Sequence, residues 1–517
     1  MDNQVPLGKT IAVLLLGAFI AILNQTLLNV AIPHLMNDFN VSATTVQWLS
    51  TAYLLVNGVL IPITAYLIES FGTRKLFVTA MLLFTLGSLI CAISPGFTVM
   101  LIGRIVQASG AGIIMPLVMN VFLTVFPPEK RGTAMGTMGI AMMFAPAIGP
   151  TLSGWIVEHY TWRILFYMVI PLALLDILFA FIWLRNVSKL TSPKFDGFGA
   201  LFSTIGFGFL LYGFSSAGDK GWTSATVLLT LIIGVLFIVF FVLRETAMKN
   251  PLLEFRVFKY DIFTISTLVS ATINMALFGG MLLLPIYLQN IRGFSPLQSG
   301  LLLLPGALLM GVMSPISGAL FDRIGSRPLA IVGLIITAIS TFEFSKLTGE
   351  TPYGHIMMLY TFRSFGMSML MMSVQTEGLN QLPPHLTSHG TAMSNTVRQV
   401  AGSIGTALLI TVMATRAGIH LADYSNTVTT TNVALTEQVG ILGTQMATAA
   451  GMPPEQGSSL ALQQLYGIAV QTSTIEGIND AFIVATWISI IGLFLSLFLR
   501  RARSRPRKVK PEPKSGV

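Results

Sequence analysis

Long apolar runs recur along the whole chain, and each is about as long as a helix that crosses a membrane. Such a helix needs about 20 consecutive, mostly apolar residues to span the hydrocarbon core of a bilayer. The runs lie near residues 10–33, 46–68, 76–94, 98–126, 134–157, 163–184, 197–216, 224–243, 262–288, 297–321, 328–346, 355–382, 391–415 and 480–499. The sequence therefore predicts an all-α polytopic membrane protein with about fourteen transmembrane helices.

The overall composition excludes a soluble globular protein. Of the 517 residues, 53% are hydrophobic and only 10% are charged, and the mean hydropathy is +0.75. The single cysteine, Cys91, excludes an internal disulfide. We expect no metal site, because the sequence has no metal-ligand cluster, and no ATP-driven step, because it has no Walker A loop.

Basic residues are distributed unevenly between alternate loops. If the N-terminus lies in the cytoplasm, most of the 30 Lys and Arg residues fall in cytoplasmic loops and in the tail at 500–517. This is the bias of the positive-inside rule for an even number of helices. We therefore expect a plasma-membrane protein with both termini in the cytoplasm. The net charge of +9 then reflects orientation and contact with anionic lipid, and does not indicate nucleic-acid binding.

Two parts of the chain repeat the same short motifs at a nearly constant offset. The matching pairs are Glu69 with Asp322, Gly72 with Gly325, Arg74 with Arg327, Arg104 with Arg363, and residues 132–135 with residues 390–393. Such a repeat predicts two parallel six-helix halves, an architecture of transporters that place their substrate site between the halves. Channels and membrane enzymes have less need of this plan, so we expect a transporter and not an enzyme.

The repeat divides the chain into four parts. Residues 1–190 are expected to form an N-terminal six-helix bundle, 191–260 two inserted helices with flanking cytoplasmic loops, and 261–499 a C-terminal six-helix bundle. Residues 500–517 form a basic cytoplasmic tail. One long non-membrane segment, 416–479, lies within the third part, and its Thr, Ala, Gln and Gly content leaves amphipathic helix or disorder open.

Each repeated loop joins a carboxylate, a glycine and basic residues at the end of a helix. The carboxylate can pair with the arginine of its own loop, or it can face the positive N-terminus of a neighbouring helix such as the one starting near Gly390. Either contact would act as a latch that holds one side of the protein closed. A charged tight turn without a gating role is the alternative interpretation.

The stretch 139–154 places glycine and proline inside an apolar run. The residues are Gly139, Pro146, Gly149, Pro150 and Gly154. In a membrane helix, neighbouring helices re-satisfy the freed backbone groups and small residues let two helices approach closely. We expect a bend or pivot here, with a kinked packing helix as the alternative.

These motifs resemble signatures of the major facilitator superfamily. Residues 65–75 and 318–327 resemble its loop signature, 104–112 its fourth-helix motif, and 139–154 the fifth-helix motif of its drug antiporters. With fourteen helices, the chain is similar to the drug:proton antiporters of the EmrB and QacA type, and among them to LmrB-like lincomycin exporters. The resemblance implies the superfamily fold and alternating-access export of small amphipathic drugs by a monomer, driven by the proton gradient without a cofactor.

The chain departs from this resemblance in helix 1, where Asn24 replaces the usual aspartate. Asn24 cannot titrate, so the proton has to be carried elsewhere. Ionisable side chains inside a membrane are costly and are therefore functional candidates. The candidates for proton coupling are Glu377, Arg104, Asp176, Arg363 and Arg398. Structural roles remain as alternatives: an interfacial charge for Glu377, and hydrogen bonds to neighbouring helices or carbonyl groups for Asp176 and Arg104.

A weakly polar and aromatic set of residues is expected to surround the substrate. Its members are Asn24, Gln25, Asn29, Tyr53, Asn57, Asn274, Phe278 and Tyr287. For the phenylalanine of this set, filling helix contacts is the alternative role. At the level of the whole protein, export of an endogenous metabolite or signalling molecule stays open, and so does a non-transporting membrane sensor or scaffold.

Overall fold

The computed structural model describes residues 7–41, 43–187, 195–248, 251–427, 433–450 and 453–500. Within these ranges the chain forms helices joined by short turns, and no strand occurs among the described residues. The side chains of Asn29 and Phe278 lie outside the described part, as does the basic tail from residue 501 onward.

The first six helices form the N-terminal half predicted from the repeat. They are α1 (Leu7–Phe39), α2 (Ala43–Phe71), α3 (Thr73–Ala92), α4 (Phe97–Val125), α5 (Arg131–His159) and α6 (Arg163–Trp183). Two further helices follow, α7 (Gly197–Lys220) and α8 (Ala225–Ala247).

The remaining helices belong to the C-terminal half. They are α9 (Asp261–Pro285), α10 (Pro296–Ile324), α11 (Ser326–Glu343), α12 (Tyr353–Asn380), α13 (Thr387–Thr427), α14 (Val433–Ala450) and α15 (Pro454–Ser496). A π-helical turn at Ile286–Ile291 continues α9.

Within the described ranges, 13 helices are long and apolar enough to cross a membrane. The helix α12 is not among them, because its 28 residues include the polar side chains of Arg363, Gln375 and Glu377. It nevertheless packs between α9, α10 and α11. Counting α12, the described part of the chain has fourteen helices that match the apolar runs of the sequence, and α14 is an additional helix of 18 residues.

The segment 416–479 is helical wherever the structure describes it. The helices α13 and α15 have 41 and 43 residues, and at about 1.5 Å per residue each is about 60 Å long. This is about twice the thickness of the hydrocarbon core, so both helices extend well beyond it. The helix α14 packs against the start of α15, where a Cβ at Gly457 would lie 2.0 Å from the Gly443 carbonyl oxygen.

The inserted helices α7 and α8 pack against each other and bridge the two halves through α7. On the N-terminal half, Tyr212 of α7 stacks on Trp48 of α2, with ring centroids 5.5 Å apart. On the C-terminal half, the Trp222 indole following α7 donates to the Thr411 hydroxyl of α13 at 2.7 Å. Between α7 and α8, the Arg244 guanidinium donates twice to Asp196, and this contact holds the pKa of that carboxyl below its usual range.

The helices α5 and α10 pack along their length and form the main contact between the halves. A Cβ at Gly132 would lie 2.6 Å from the Gly318 carbonyl oxygen, and a Cβ at Gly136 would lie 2.6 Å from the Ser314 carbonyl oxygen. Small residues therefore set the distance between these helices.

The proline- and glycine-rich stretch 139–154 lies within α5, which stays one helix through Pro146 and Pro150. Its glycines face two different helices. A Cβ at Gly139 would collide with the Ser314 hydroxyl of α10, and a Cβ at Gly149 would collide with the Thr26 hydroxyl of α1. The stretch thus packs α5 between α1 and α10, and its role as a bend or pivot stays a prediction.

We predict that Gly136→Val weakens the contact between the halves, because the added side chain meets backbone atoms of α10 that cannot rotate away. Overpacking of this kind costs about 1–3 kcal/mol. Thermal unfolding of the purified protein in detergent measures the loss. Gly154→Ala on the same helix is the matched control, because its Cβ would lie 3.5 Å from Leu297, an ordinary contact distance. Equal melting temperatures for the two variants would contradict this packing account.

Candidate functional site

The two repeated loops adopt the same backbone geometry at the same end of the helix bundle. Gly72 links α2 to α3 with φ of 73°, and Gly325 links α10 to α11 with φ of 85°. Positive φ favours glycine because a Cβ there meets the backbone. We call the end of the bundle that carries these two turns the motif end.

At the motif end, the carboxylate of Asp322 at the end of α10 caps the first turn of α5. It accepts hydrogen bonds from the backbone N–H of Gly132 at 2.8 Å and of Thr133 at 2.9 Å, and from the Thr133 hydroxyl at 2.6 Å. A helix N-terminus carries unsatisfied N–H groups and a partial positive charge, which stabilise a carboxylate. The C-terminal half therefore holds the N-terminal half through a helix-capping contact.

Glu69 makes the reciprocal contact from the N-terminal half. Its carboxylate accepts a hydrogen bond from the Ser388 hydroxyl at 2.7 Å and lies 3.4 Å from Nε2 of His389, both in the first turn of α13. A third contact between the halves joins Arg131 to Asn380 at 2.9 Å.

Arg74 and Arg327, the matching arginines of the two loops, have different surroundings. Arg74 donates to the Phe181 carbonyl oxygen at 2.6 Å, and its backbone N–H donates to Asn186 at 3.0 Å, so it anchors the end of α6. Arg327 is exposed. Of the two arrangements that the sequence left open, the structure has the one in which each carboxylate faces a helix N-terminus.

Arg104 lies in the middle of the N-terminal half and is 1% exposed. Its guanidinium donates to Asn24 at 3.0 Å, to Gln107 at 2.6 Å and to the Leu49 carbonyl oxygen at 3.3 Å. It also stacks on Tyr53 at 4.1 Å from the ring centroid. Asn24, at the position of the usual aspartate, thus gives Arg104 a neutral partner.

Arg363 occupies the equivalent place in the C-terminal half. It donates to the Thr341 hydroxyl at 3.3 Å and to the Ala276 carbonyl oxygen at 3.1 Å. A Cβ at Gly280 would lie 2.8 Å from its Nη2, so glycine makes room for the guanidinium beside α9.

Arg398 lies where α13 meets α4 and α12. Its Nη1 donates to the Gln375 side chain at 2.6 Å. The amide of Gln375 in turn donates to Asn395 at 3.4 Å and to the Met119 sulfur at 3.3 Å. Because Met119 belongs to the N-terminal half, this polar cluster contacts both halves.

The two candidate carboxyl groups have different surroundings. Asp176 of α6 is fully buried, and neither carboxyl oxygen has a hydrogen-bond partner among the described residues. A Cβ at Gly17 of α1 would lie 2.8 Å from its Oδ2, with Phe77 of α3 beside it. Glu377 is 2% exposed and accepts the Ser326 N–H at the start of α11 at 3.3 Å.

The predicted substrate residues fall in three places. Asn24, Tyr53 and Asn57 lie around α4: the first two contact Arg104, and a Cβ at Gly112 would lie 3.1 Å from the Asn57 side-chain oxygen. Asn274 donates to the Ser270 carbonyl oxygen on its own helix, and Gln25 is half-buried on α1.

Tyr287 lies apart from the other residues of this set. It packs in an apolar cluster, and its hydroxyl donates to the Thr348 carbonyl oxygen in the turn before α12, at the end opposite the motif end. The structure therefore does not bring Tyr287 to the Arg104 or Arg398 clusters.

Sequence reasoning missed Met119, Ser388 and His389 as members of these contacts. Ser388 and His389 directly precede the repeated sequence at Gly390, so the repeat itself is a signal for them. Met119 carries no such signal, since its sulfur becomes a polar partner only through the packing of α4 against α13.

Comparison with known proteins agrees with this architecture. The uncharacterised MFS-type transporter YhcA of Bacillus subtilis is 53% identical, over 97% of this chain and 94% of its own. The lincomycin resistance protein LmrB of Listeria monocytogenes is 41% identical, over 95% of this chain and 97% of its own.

The crystal structure of the human organic anion transporter MFSD10 superposes with a TM-score of 0.64, covering 95% of this chain and 100% of that one. At 13% identity, this likeness shows the fold alone. The family model described as Major Facilitator Superfamily matches residues 14–406. The parallel halves, the repeated loops and these matches lead to one conclusion: the chain belongs to the major facilitator superfamily.

Proposed function

We propose that this protein exports small amphipathic drug-like compounds across the plasma membrane in exchange for protons, by alternating access. The observation that carries the proposal is the reciprocal pair of contacts in which Asp322 and Glu69 each bind the first turn of a helix in the opposite half. Relatives named for resistance support the drug-export part, among them LmrB and the multidrug export protein EmrB of Escherichia coli, which is 28% identical.

The reciprocal contacts suit a gate that opens and closes. A carboxylate at a helix N-terminus stabilises the closed arrangement by about 0.3–2 kcal/mol, so a few such contacts hold the motif end shut without making closure irreversible. The positive-inside bias supports a cytoplasmic motif end and cytoplasmic termini. In the arrangement described here the gate is closed, and release of both carboxylates would open the substrate path to the cytoplasm.

The proton has two candidate carriers on the described helices, and their surroundings favour Asp176. Asp176 is fully buried and neither of its carboxyl oxygens has a hydrogen-bond partner among the described residues. A carboxylate in such surroundings is costly unless it takes up a proton. Glu377 instead accepts the backbone N–H of Ser326 at 3.3 Å, which ties it to the start of α11. We therefore assign proton transfer to Asp176 and assign to Glu377 the support of the turn at Gly325.

The rest of the mechanism uses the proton gradient and no cofactor. A proton that leaves Asp176 leaves a charge against α1, and α1 also carries Asn24, the partner of Arg104. Movement of α1 would then link the protonation of Asp176 to the substrate path. The transporter is proposed to work as a monomer in contact with membrane lipid.

We predict that Asp322→Asn and Glu69→Gln each slow drug efflux about tenfold, because each loses a charged contact across the motif end of about 0.3–2 kcal/mol. Efflux of lincomycin from cells at matched expression measures the effect. Glu343→Gln is the control, because Glu343 is half-buried at the opposite end and pairs there with the exposed Lys346. Efflux at the wild-type rate in both variants would contradict the assignment of Asp322 and Glu69 to a gate.

We predict that Asp176→Asn abolishes substrate-induced proton release while the protein still carries substrate down its gradient. Glu377→Gln should keep the proton release and lower only the rate, because it loses one contact at the start of α11. Inside-out vesicles with a pH-sensitive dye and a panel of lincosamides, dyes and quaternary ammonium compounds measure both.

The reverse outcome, with proton release lost only in Glu377→Gln, would identify Glu377 as the proton carrier. Proton release that survives both changes would remove both carboxyl groups from the mechanism. A wild-type protein that moves no compound of the panel would favour a narrow endogenous substrate or the sensor function.

A further inference from the structure

Three arginines on the membrane helices have no acidic partner in any ion pair among the described residues. None of the ion pairs among the described residues involves Arg104, Arg363 or Arg398. The two carboxyl groups that are candidates for proton coupling lie elsewhere: Glu377 caps α11, and Asp176 lies against α1 and α3. A buried charge without a counter-ion is costly, so an arrangement of this kind is suited to a charge supplied by a ligand.

Two of the three guanidinium groups are already engaged by the protein. Arg104 is enclosed by Asn24, Gln107, a carbonyl group and the Tyr53 ring. Arg363 is likewise tied to Thr341 and to a carbonyl group of α9. Their bonds are internal to one half, so these two residues hold helices together within their own half.

Arg398 differs from these two arginines in its hydrogen bonding and in contacting both halves. It is half-buried, and its one described hydrogen bond goes to the neutral amide of Gln375. The cluster that it forms with Gln375, Asn395 and Met119 includes residues of both halves. A group bound there would contact α4 from one half and α12 and α13 from the other.

We propose that Arg398 is the binding site for a carboxylate on the transported compound, with Gln375 and Asn395 as neutral polar neighbours and Met119 as an adaptable apolar contact. A guanidinium binds a carboxylate through paired N–H donors, and a neutral amide partner leaves its charge available. The inference rests on the proposed export function and narrows its substrate class to amphipathic compounds that carry an organic acid group. A methionine beside the cation suits substrates of varied shape, since its side chain is flexible and polarisable.

The test uses tetramethylrhodamine and its methyl ester, two dyes that differ by one carboxylate. Fluorescence anisotropy of each dye with the purified full-length protein in detergent gives the two dissociation constants. We expect the wild type to bind the acid about tenfold more tightly than the ester, as for a desolvated charge pair. Arg398→Gln should remove this preference and Arg398→Lys should keep most of it.

Gln375→Glu provides a matched test, because it places a carboxylate against Arg398 where the amide now lies 2.6 Å away. It should remove the preference for the acid although Arg398 is still present. Retained binding of the ester shows that each variant is folded. Equal binding of both dyes by the wild type, binding of neither, or an unchanged preference in Arg398→Gln would overturn the proposal.

Proton release in proteoliposomes separates this inference from the proposed function. Release driven by the ester and not by the acid would leave the exporter in place and contradict the acid site. Uptake of the acid form without proton movement would support the acid site and contradict proton exchange.

Discussion

The close approach of α5 to α10 is the constraint on which the other contacts between the halves depend. Asp322 reaches the first N–H groups of α5 because Gly132 and Gly318 lie against each other with no side chain between them. A larger residue at either position would move the carboxylate away from the helix N-terminus. In this account the contacts of the two carboxylates break when the gate opens, whereas the packing of small residues between α5 and α10 is kept.

The two halves share a buried arginine and differ in the groups that bind it. Each has a buried arginine at the equivalent place, Arg104 in α4 and Arg363 in α12. Their partners differ, with side-chain amides around Arg104 and a hydroxyl and a carbonyl group around Arg363. None of the ion pairs among the described residues involves either arginine. In the proposed mechanism the proton is carried on α6 and the substrate lies between the halves, with α1 as the physical link.

Much of the fold was predictable from the sequence, because membrane helices need long apolar runs and the motif repeat shows that the halves are parallel. The extent of α13 and α15 was not, since the Thr- and Ala-rich segment beyond residue 416 has no such run. Its residue type suggested that Tyr287 belongs to the substrate site. The structure instead shows its hydroxyl donating to the Thr348 carbonyl oxygen, a contact that the sequence does not reveal. The partners of Glu69 and Arg398 likewise depend on distances between helices that sequence does not give.

The measurement that tests the central claim most directly is the distance across the motif end while the protein binds substrate. Spin labels at Glu129 and Arg327, which are both exposed, with the buried Cys91 replaced by serine, report this distance by double electron–electron resonance. The gate account predicts two distance populations whose ratio changes with substrate and pH, and a shift to the longer distance when Asp322 is changed to alanine. A single distance, unchanged by substrate, pH and loss of Asp322, would contradict it.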